Sequence, residues 1–186
     1  MELHDLAEEL LPSLKKGDIE GCIDRVSGEL SKLSNSPFSK VMELDFSNNP
    51  KDVADCFQSI LSQYGEQTDI KALYTETNGL DINPDQWYFE IFGYSSYGGL
   101  EDLDWLSDWQ AESENGWVLT GMESLQEVYA SDAFGKSEFD KARELTSLLV
   151  VLKFQKLIRN SLALVPDFPV PVLATSHDYD FIYAHR

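Results

Sequence analysis

Hydrophobic positions recur along the first third of the chain with a helical period. Leu3, Leu6, Ala7, Leu10, Leu11 and Leu14 follow the i, i+3, i+4, i+7 spacing of one helix face, and Lys15-Lys16-Gly17 supplies a cationic, glycine-terminated end. Asp18 is placed to cap a second helix whose apolar face is Ile19, Cys22, Ile23, Val26, Leu30 and Leu33, ending at 34–37. Two antiparallel helices joined by so short a turn make a helical hairpin. The period then changes to two. Met42, Leu44 and Phe46 alternate with Val41, Glu43 and Asp45, which predicts a half-buried strand. Asn49-Pro50 opens a third helix, since proline suits the first helical position. Its stripe is Val53, Ala54, Phe57, Ile60, Leu61 and Tyr64, and Gly65 stops it.

Two strands are predicted at 70–75 and 87–92, joined through a polar stretch containing Asn78-Gly79. Strands reaching that dipeptide would form a tight hairpin, and shorter ones a longer loop. From Ser137, read as an N-cap with Asp140 three residues on, a helix is predicted to about 164. Its middle (Leu145, Leu148, Leu149, Val150, Val151, Leu152, Phe154) is apolar almost all round, so it should be buried on several sides as the spine of the fold. Pro166, Pro169 and Pro171 break the helical pattern, and 170–174 and 181–183 read as closing strands. The expectation is an α+β fold in one domain, 1–186. It has an N-terminal helical hairpin (1–36) as an appendage, a small, mainly antiparallel sheet and a long buried C-terminal helix.

Composition fits that reading. A length of 186 residues with 42% hydrophobic and 12% aromatic residues supports a core and excludes disorder. No apolar run reaches the roughly 18 residues of a membrane span. The start, Met1-Glu2-Leu3-His4-Asp5, lacks the basic and apolar regions of a secretory signal, so a cytoplasmic protein is expected. Cys22 and Cys56 fall on apolar helix stripes without C-x-x-C spacing. They read as reduced thiols rather than as a disulfide or a zinc site.

Charge changes the picture more. With 33 acidic against 14 basic residues, the net charge is −19. Such a surface disfavours nucleic acid and anionic lipid and favours basic partners, although solubility alone is a competing explanation. The acidity is also localised. Between Lys71 and Lys136 there is no Lys or Arg, but there are 13 Asp or Glu and all four tryptophans, Trp87, Trp105, Trp109 and Trp117. Tyr74, Tyr88, Phe89, Phe92, Tyr94, Tyr97, Tyr129 and Phe134 share this window. Asp104-Trp105 and Asp108-Trp109 repeat at four-residue spacing. If 103–110 is a helical turn, both aspartates lie on one stripe and both tryptophans on the next. Aromatics anchor interfaces and carboxylates select cationic partners, so the residues expected to bind a partner are Asp81, Asp85, Tyr94, Tyr97, Glu101, Asp102, Asp104, Trp105, Asp108, Trp109 and Glu112. The competing reading is that the tryptophans are core and the aspartates merely solvated.

Catalytic motifs fail on inspection. Asp81-Ile82-Asn83-Pro84-Asp85 imitates the start of a calcium loop, but Gln86 stands where the glycine is needed and Phe92 where the bidentate glutamate is needed. Gly93-Tyr94-Ser95-Ser96-Tyr97-Gly98-Gly99 is glycine-rich, yet it fits neither a phosphate-binding loop nor a nucleophile elbow. His177-Asp178-Tyr179-Asp180 is the remaining cluster. In a strand its aspartates and histidine point to opposite faces, while a turn could make them converge on a metal. His4 and His185 lie near the ends of the sequence and are given no catalytic role. No cofactor is expected.

The runs Ala72-Leu73-Tyr74-Thr75-Glu76, Trp87-Tyr88-Phe89-Glu90-Ile91-Phe92 and Asp104-Trp105-Leu106-Ser107-Asp108-Trp109 resemble those of small stand-alone bacterial proteins that neutralise polymorphic or contact-dependent toxins, the immunity proteins. That resemblance implies a non-enzymatic cytoplasmic inhibitor whose acidic face covers the basic active site of a nuclease-like toxin. Two other classes stay open. One is a metal-dependent hydrolase using carboxylates around His177. The other is a structural adaptor that self-associates through apolar surface on its N-terminal helices.

Overall fold

A computed structural model describes residues 3–33, 35–65, 67–177 and 179–185, with the side chains of Leu3 and His4 left out. Ser34 and Asp178, both invoked above, lie outside the described residues. The fold is α+β, as the periodicity predicts. Helices α1 (Leu3–Leu14) and α2 (Ile19–Leu30) form the hairpin. The Asp18 carboxylate accepts a bond from Gly21 N at 3.0 Å, satisfying an otherwise orphaned helix donor. Gly17, at φ 81°, makes the left-handed turn between the helices. Leu6, Leu10 and Leu14 share one buried cluster with Ile19, Cys22, Val26, Leu30 and the rest of the core. The hairpin is therefore part of that core rather than an appendage to it. Its apolar stripes are spent internally, which leaves Leu11 and Ile23 only half-buried.

The predicted strand over 41–46 does not form. Pro37–Glu43 is a 3-10 helix, capped by the Ser36 hydroxyl accepting from Phe38 N. Phe38 and Val41, three residues apart, are both fully buried, whereas Met42 stays 38% exposed. That spacing matches the three residues per turn of a 3-10 helix, and it overrides the apparent alternation. Residues 44–48 then form neither helix nor strand and do not join the sheet. Ser47 N donates to Thr120 O, and the Asn48 side chain bridges Val118 O and Thr120 N.

Helix α3 (Pro50–Tyr64) starts as predicted, with the Asn49 side chain capping Lys51 N at 2.9 Å. Six strands follow: β1 (Ala72–Thr77), β2 (Tyr88–Tyr94), β3 (Ala111–Glu112), β4 (Trp117–Val118), β5 (Val172–Ser176) and β6 (Tyr183–His185). The sheet order is β3-β2-β1-β5-β6, with β4 also on β2. Only β1 and β5 pair in parallel, with Thr75 opposite Ala174, and the other pairings are antiparallel. The Asn78-Gly79 stretch opens a long loop, not a tight turn. Asn78 closes it by three bonds, from its own N–H to Tyr88 O, from its side-chain amide to Gln86 O, and from Tyr88 N to its Oδ1.

Between β4 and the C-terminal helix lies α4 (Glu123–Tyr129), a short helix that no periodicity announced. Helix α5 (Asp140–Leu162) is 23 residues, about 35 Å long, and is the predicted spine. It begins with a 3-10 turn, Ser137–Phe139, so Ser137 is not the cap. Phe154 is fully buried and packs on Phe89 of β2 at 5.7 Å, while Arg159 pairs with Glu20 of α2 across the opposite side. Sandwiched between hairpin and sheet, α5 needs apolar residues all round. Its buried Gln155 donates to Ala174 O at 3.0 Å and Phe181 O at 2.7 Å, tying the helix to the closing strands. No described helix is long and apolar enough to cross a membrane.

Candidate functional site

The alternation along β1 and β2 divides their residues between two environments. Leu73, Thr75, Thr77, Phe89 and Ile91 are buried. Tyr74, Glu76, Tyr88, Glu90 and Phe92, one step out of phase, are only partly buried and share the opposite face. Register brings them side by side, with Tyr74 opposite Phe92 and Glu76 opposite Glu90. On the next strand Glu112 lies opposite Phe92, and Val118 of β4, 46% exposed, lies opposite Tyr88.

An aromatic row crosses this face. The Tyr74 and Phe92 rings are 6.2 Å apart, and Trp109 stands edge-on to Phe92 at 5.6 Å. Trp109 is 47% exposed, and its indole N–H donates to Glu112 Oε2 at 2.8 Å. Beside the rings run the carboxylates of Glu76, Glu90 and Glu112. The Tyr74 hydroxyl donates to Glu76 Oε2 at 2.6 Å, and His177 Nδ1 sits 3.1 Å from Glu76 Oε1. Partial burial, together with the negative charges of Glu76 and Glu112, holds the Glu90 carboxyl above its usual range, and His177 offsets this only partly. Burial and the nearby Glu76 push the Tyr74 phenol far up, so it stays a neutral donor. Among the described residues, no Lys or Arg forms an ion pair with Glu76, Glu90 or Glu112.

The partner-binding residues read from the sequence do not form one patch. Asp81 and Asp85 are exposed in the loop before β2, whereas Tyr97, Glu101, Asp102 and Asp104 follow its far end. The seven residues of β2, about 20 Å of strand, run between the two loops. Tyr94 is not available as a contact. It is 2% exposed, and its hydroxyl donates to Leu106 O at 3.0 Å. The half-buried Trp105 packs edge-on against Tyr94 at 4.9 Å and Tyr97 at 5.6 Å, with its N–H on Gly99 O. A Cβ at Gly98 would fall 2.3 Å from the Trp105 ring, so only glycine permits this approach. Glu101 is 92% exposed and meets Lys15, just past the end of α1, at 3.6 Å.

The four-residue Asp-Trp repeat is not a helical stripe. Asp104–Ser107 is a single 3-10 turn, and the backbone leaves helical geometry at Asp108 (φ −119°, ψ 63°). Asp102 Oδ1 takes the Asp104 N–H and the Ser107 hydroxyl returns to Asp104 O, so side chains claim the groups a longer helix needs. Asp104 and Asp108 are both exposed but do not share a face of one helix. The four tryptophans divide as well. Trp87 is fully buried with its N–H on Leu80 O, and Trp117 stacks on Phe89 at 5.4 Å. Trp105 is half-buried, and only Trp109 is presented to solvent.

Glu76, Glu90, Tyr74 and Phe92 were missed as site residues. The signal was the shared phase of Tyr74-x-Glu76 and Tyr88-x-Glu90-x-Phe92, which puts every one of these side chains on one face once the strands are paired. The His177 ring joins this face through Glu76, and among the described residues no group of His, Cys, Asp or Glu is arranged to hold a metal. Chemically, the face offers neutral rings beside carboxylates on a flat, half-open surface. That geometry suits a guanidinium or ammonium group lying over a ring with an acid alongside. No family model matches the chain, and no curated protein or solved structure matches it either.

Proposed function

We propose that this chain is an acidic protein-binding module of the immunity type, and that the open sheet face receives a basic domain. One observation carries the reading. Glu76 and Glu90 are direct cross-strand neighbours of like charge, Glu112 adds its charge to theirs while holding the indole of the exposed Trp109, and none of the three has a Lys or Arg partner among the described residues. Like charges directly opposite each other destabilise a sheet. A cationic partner would relieve that repulsion while covering Trp109, Phe92 and Val118. The cation-free window between Lys71 and Lys136 supports the same reading, because it supplies β1 to β4 and the 95–110 segment together. In this scheme Asp104 and Asp108 are rim charges that speed encounter rather than the centre of the contact.

The test uses the product of the reading frame adjacent to this gene. If that product is a toxin domain, co-expression with the chain should restore growth, and Glu90→Gln with Trp109→Ala should abolish the rescue. A neighbour without toxicity and without affinity for the chain, or rescue by the doubly substituted chain equal to wild type, would remove the proposal.

A further inference from the structure

A cleft of about 580 Å³ opens between the end of α1, residues 99–101 and β6, and none of the open-face residues lines it. Its walls include Lys15, Lys16, Glu101, Tyr183, Ala184 and His185. This is the size range of ligand sites. Strand β6 is the edge of the sheet, paired only with β5, so the backbone on its other side faces the cleft. In a chain of net charge −19, two adjacent lysines lining one cleft stand out.

Most other cations are engaged more closely. Arg25, Lys32, Lys51, Lys71, Arg143 and Lys156 reach carboxylates at 3.2 Å or less. Lys15 meets Glu101 at 3.6 Å, with the glutamate 92% exposed, and Lys16 forms no ion pair among the described residues. An exposed pair of that kind is worth little, so Lys15 can exchange Glu101 for another anion. Burial lowers the pKa of His185, which leaves its ring neutral at pH 7, with one N–H to donate. The carbonyl end of α1 disfavours an anion, so the lysines, and not the helix, must hold it.

We propose that this cleft is an oxyanion site in which Lys15 and Lys16 bind a carboxylate or phosphate group while the free edge of β6 offers the Ala184 N–H to the ligand carrying it. The site goes beyond the acidic face in place and in charge preference. It is tested by NMR titration of the whole chain with citrate, inorganic phosphate and an acetylated peptide of alternating Thr and Glu. Saturable shifts at Gly17, Ala184 and His185 are expected with at least one probe. Lys15→Gln with Lys16→Gln should weaken them about tenfold or more. The control pair Lys136→Gln with Lys141→Gln, away from the cleft, should leave them unchanged. Saturation by the peptide alone, with slowed amide exchange at Ala184, marks an extended acidic segment as the source. Saturation by citrate or phosphate marks a small molecule. Shifts that fail to saturate with all three probes, persist in the Lys15/Lys16 variant, or fall equally in the control would overturn the proposal.

Discussion

On β2, Phe89 and Ile91 are sealed beneath the helices, while Tyr88, Glu90 and Phe92, one residue away in each direction, remain half open. The buried face is packed as a core. Its rings interlock, as Phe89 does with Phe154 and Trp117, and its polar groups have partners, as Thr77 does with Ser176 at 2.7 Å. The open face breaks one rule by setting Glu76 against Glu90. On the proposed function the same strands separate two tasks, with stability on one face and partner binding on the other. Substitutions on the two faces should therefore change different measurements.

The largest effect belongs to the buried side. Trp87→Ala removes a fully buried indole and strands the Leu80 carbonyl, which should cost about 3–5 kcal/mol by urea unfolding. The fraction that still folds should bind its partner normally, and an affinity loss beyond the unfolded fraction would break the separation of faces. Gln155→Leu should cost about 1–2 kcal/mol, because the Ala174 carbonyl loses a buried donor, while the Phe181 carbonyl keeps the Thr175 hydroxyl and the unpartnered Gln155 Oε1 is removed. A neutral result by the same assay would mean that the contact between α5 and the closing strands is set by apolar packing alone.

On the open side the pattern reverses. Trp109→Ala should cost less than about 1 kcal/mol in stability, since the ring makes one edge contact and one bond to an exposed glutamate. Its binding loss should be about 2 kcal/mol by calorimetry, and a variant that loses several kcal/mol of stability while its folded fraction binds normally would place Trp109 in the core instead. The smallest effect is a gain. Glu90→Gln should stabilise the isolated chain by about 0.5 kcal/mol at neutral pH through relief of like-charge repulsion. The sign follows from linkage. The folded chain holds the Glu90 proton more tightly than the unfolded chain does, so the carboxyl's contribution is complete below its ordinary value of 4.5 and is lost as pH rises through the raised folded value. The gain from glutamine should accordingly vanish in acid, and a gain that persists there would show that charge is not its cause.

Much of the fold was legible because burial follows period. The stripes of α1, α2 and α3 and the all-apolar middle of α5 appear in the structure where periodicity put them. The 41–46 segment was misread because three alternating apolar residues look like a strand, while burial of Phe38 and Val41 selects a 3-10 turn. Helix α4 and the two-residue strands β3 and β4 are too short to show a period at all. The acidic, aromatic window was visible as composition, but its geometry was not. The Asp-Trp repeat drew attention to 104–109, whereas the register that aligns Glu76 with Glu90 and Tyr74 with Phe92 depends on pairings that a linear sequence does not display.

If the carboxylates of the open face attract a basic partner, that attraction is read in the association rate. Stopped-flow mixing with the adjacent gene's product, at rising salt, would compare wild type with a Glu76→Gln, Glu90→Gln, Glu112→Gln variant. Wild type should associate about tenfold faster at low salt and slow steeply as salt rises, while the triple variant should be slow and nearly flat. Equal rates and equal salt slopes for the two proteins would contradict that attraction.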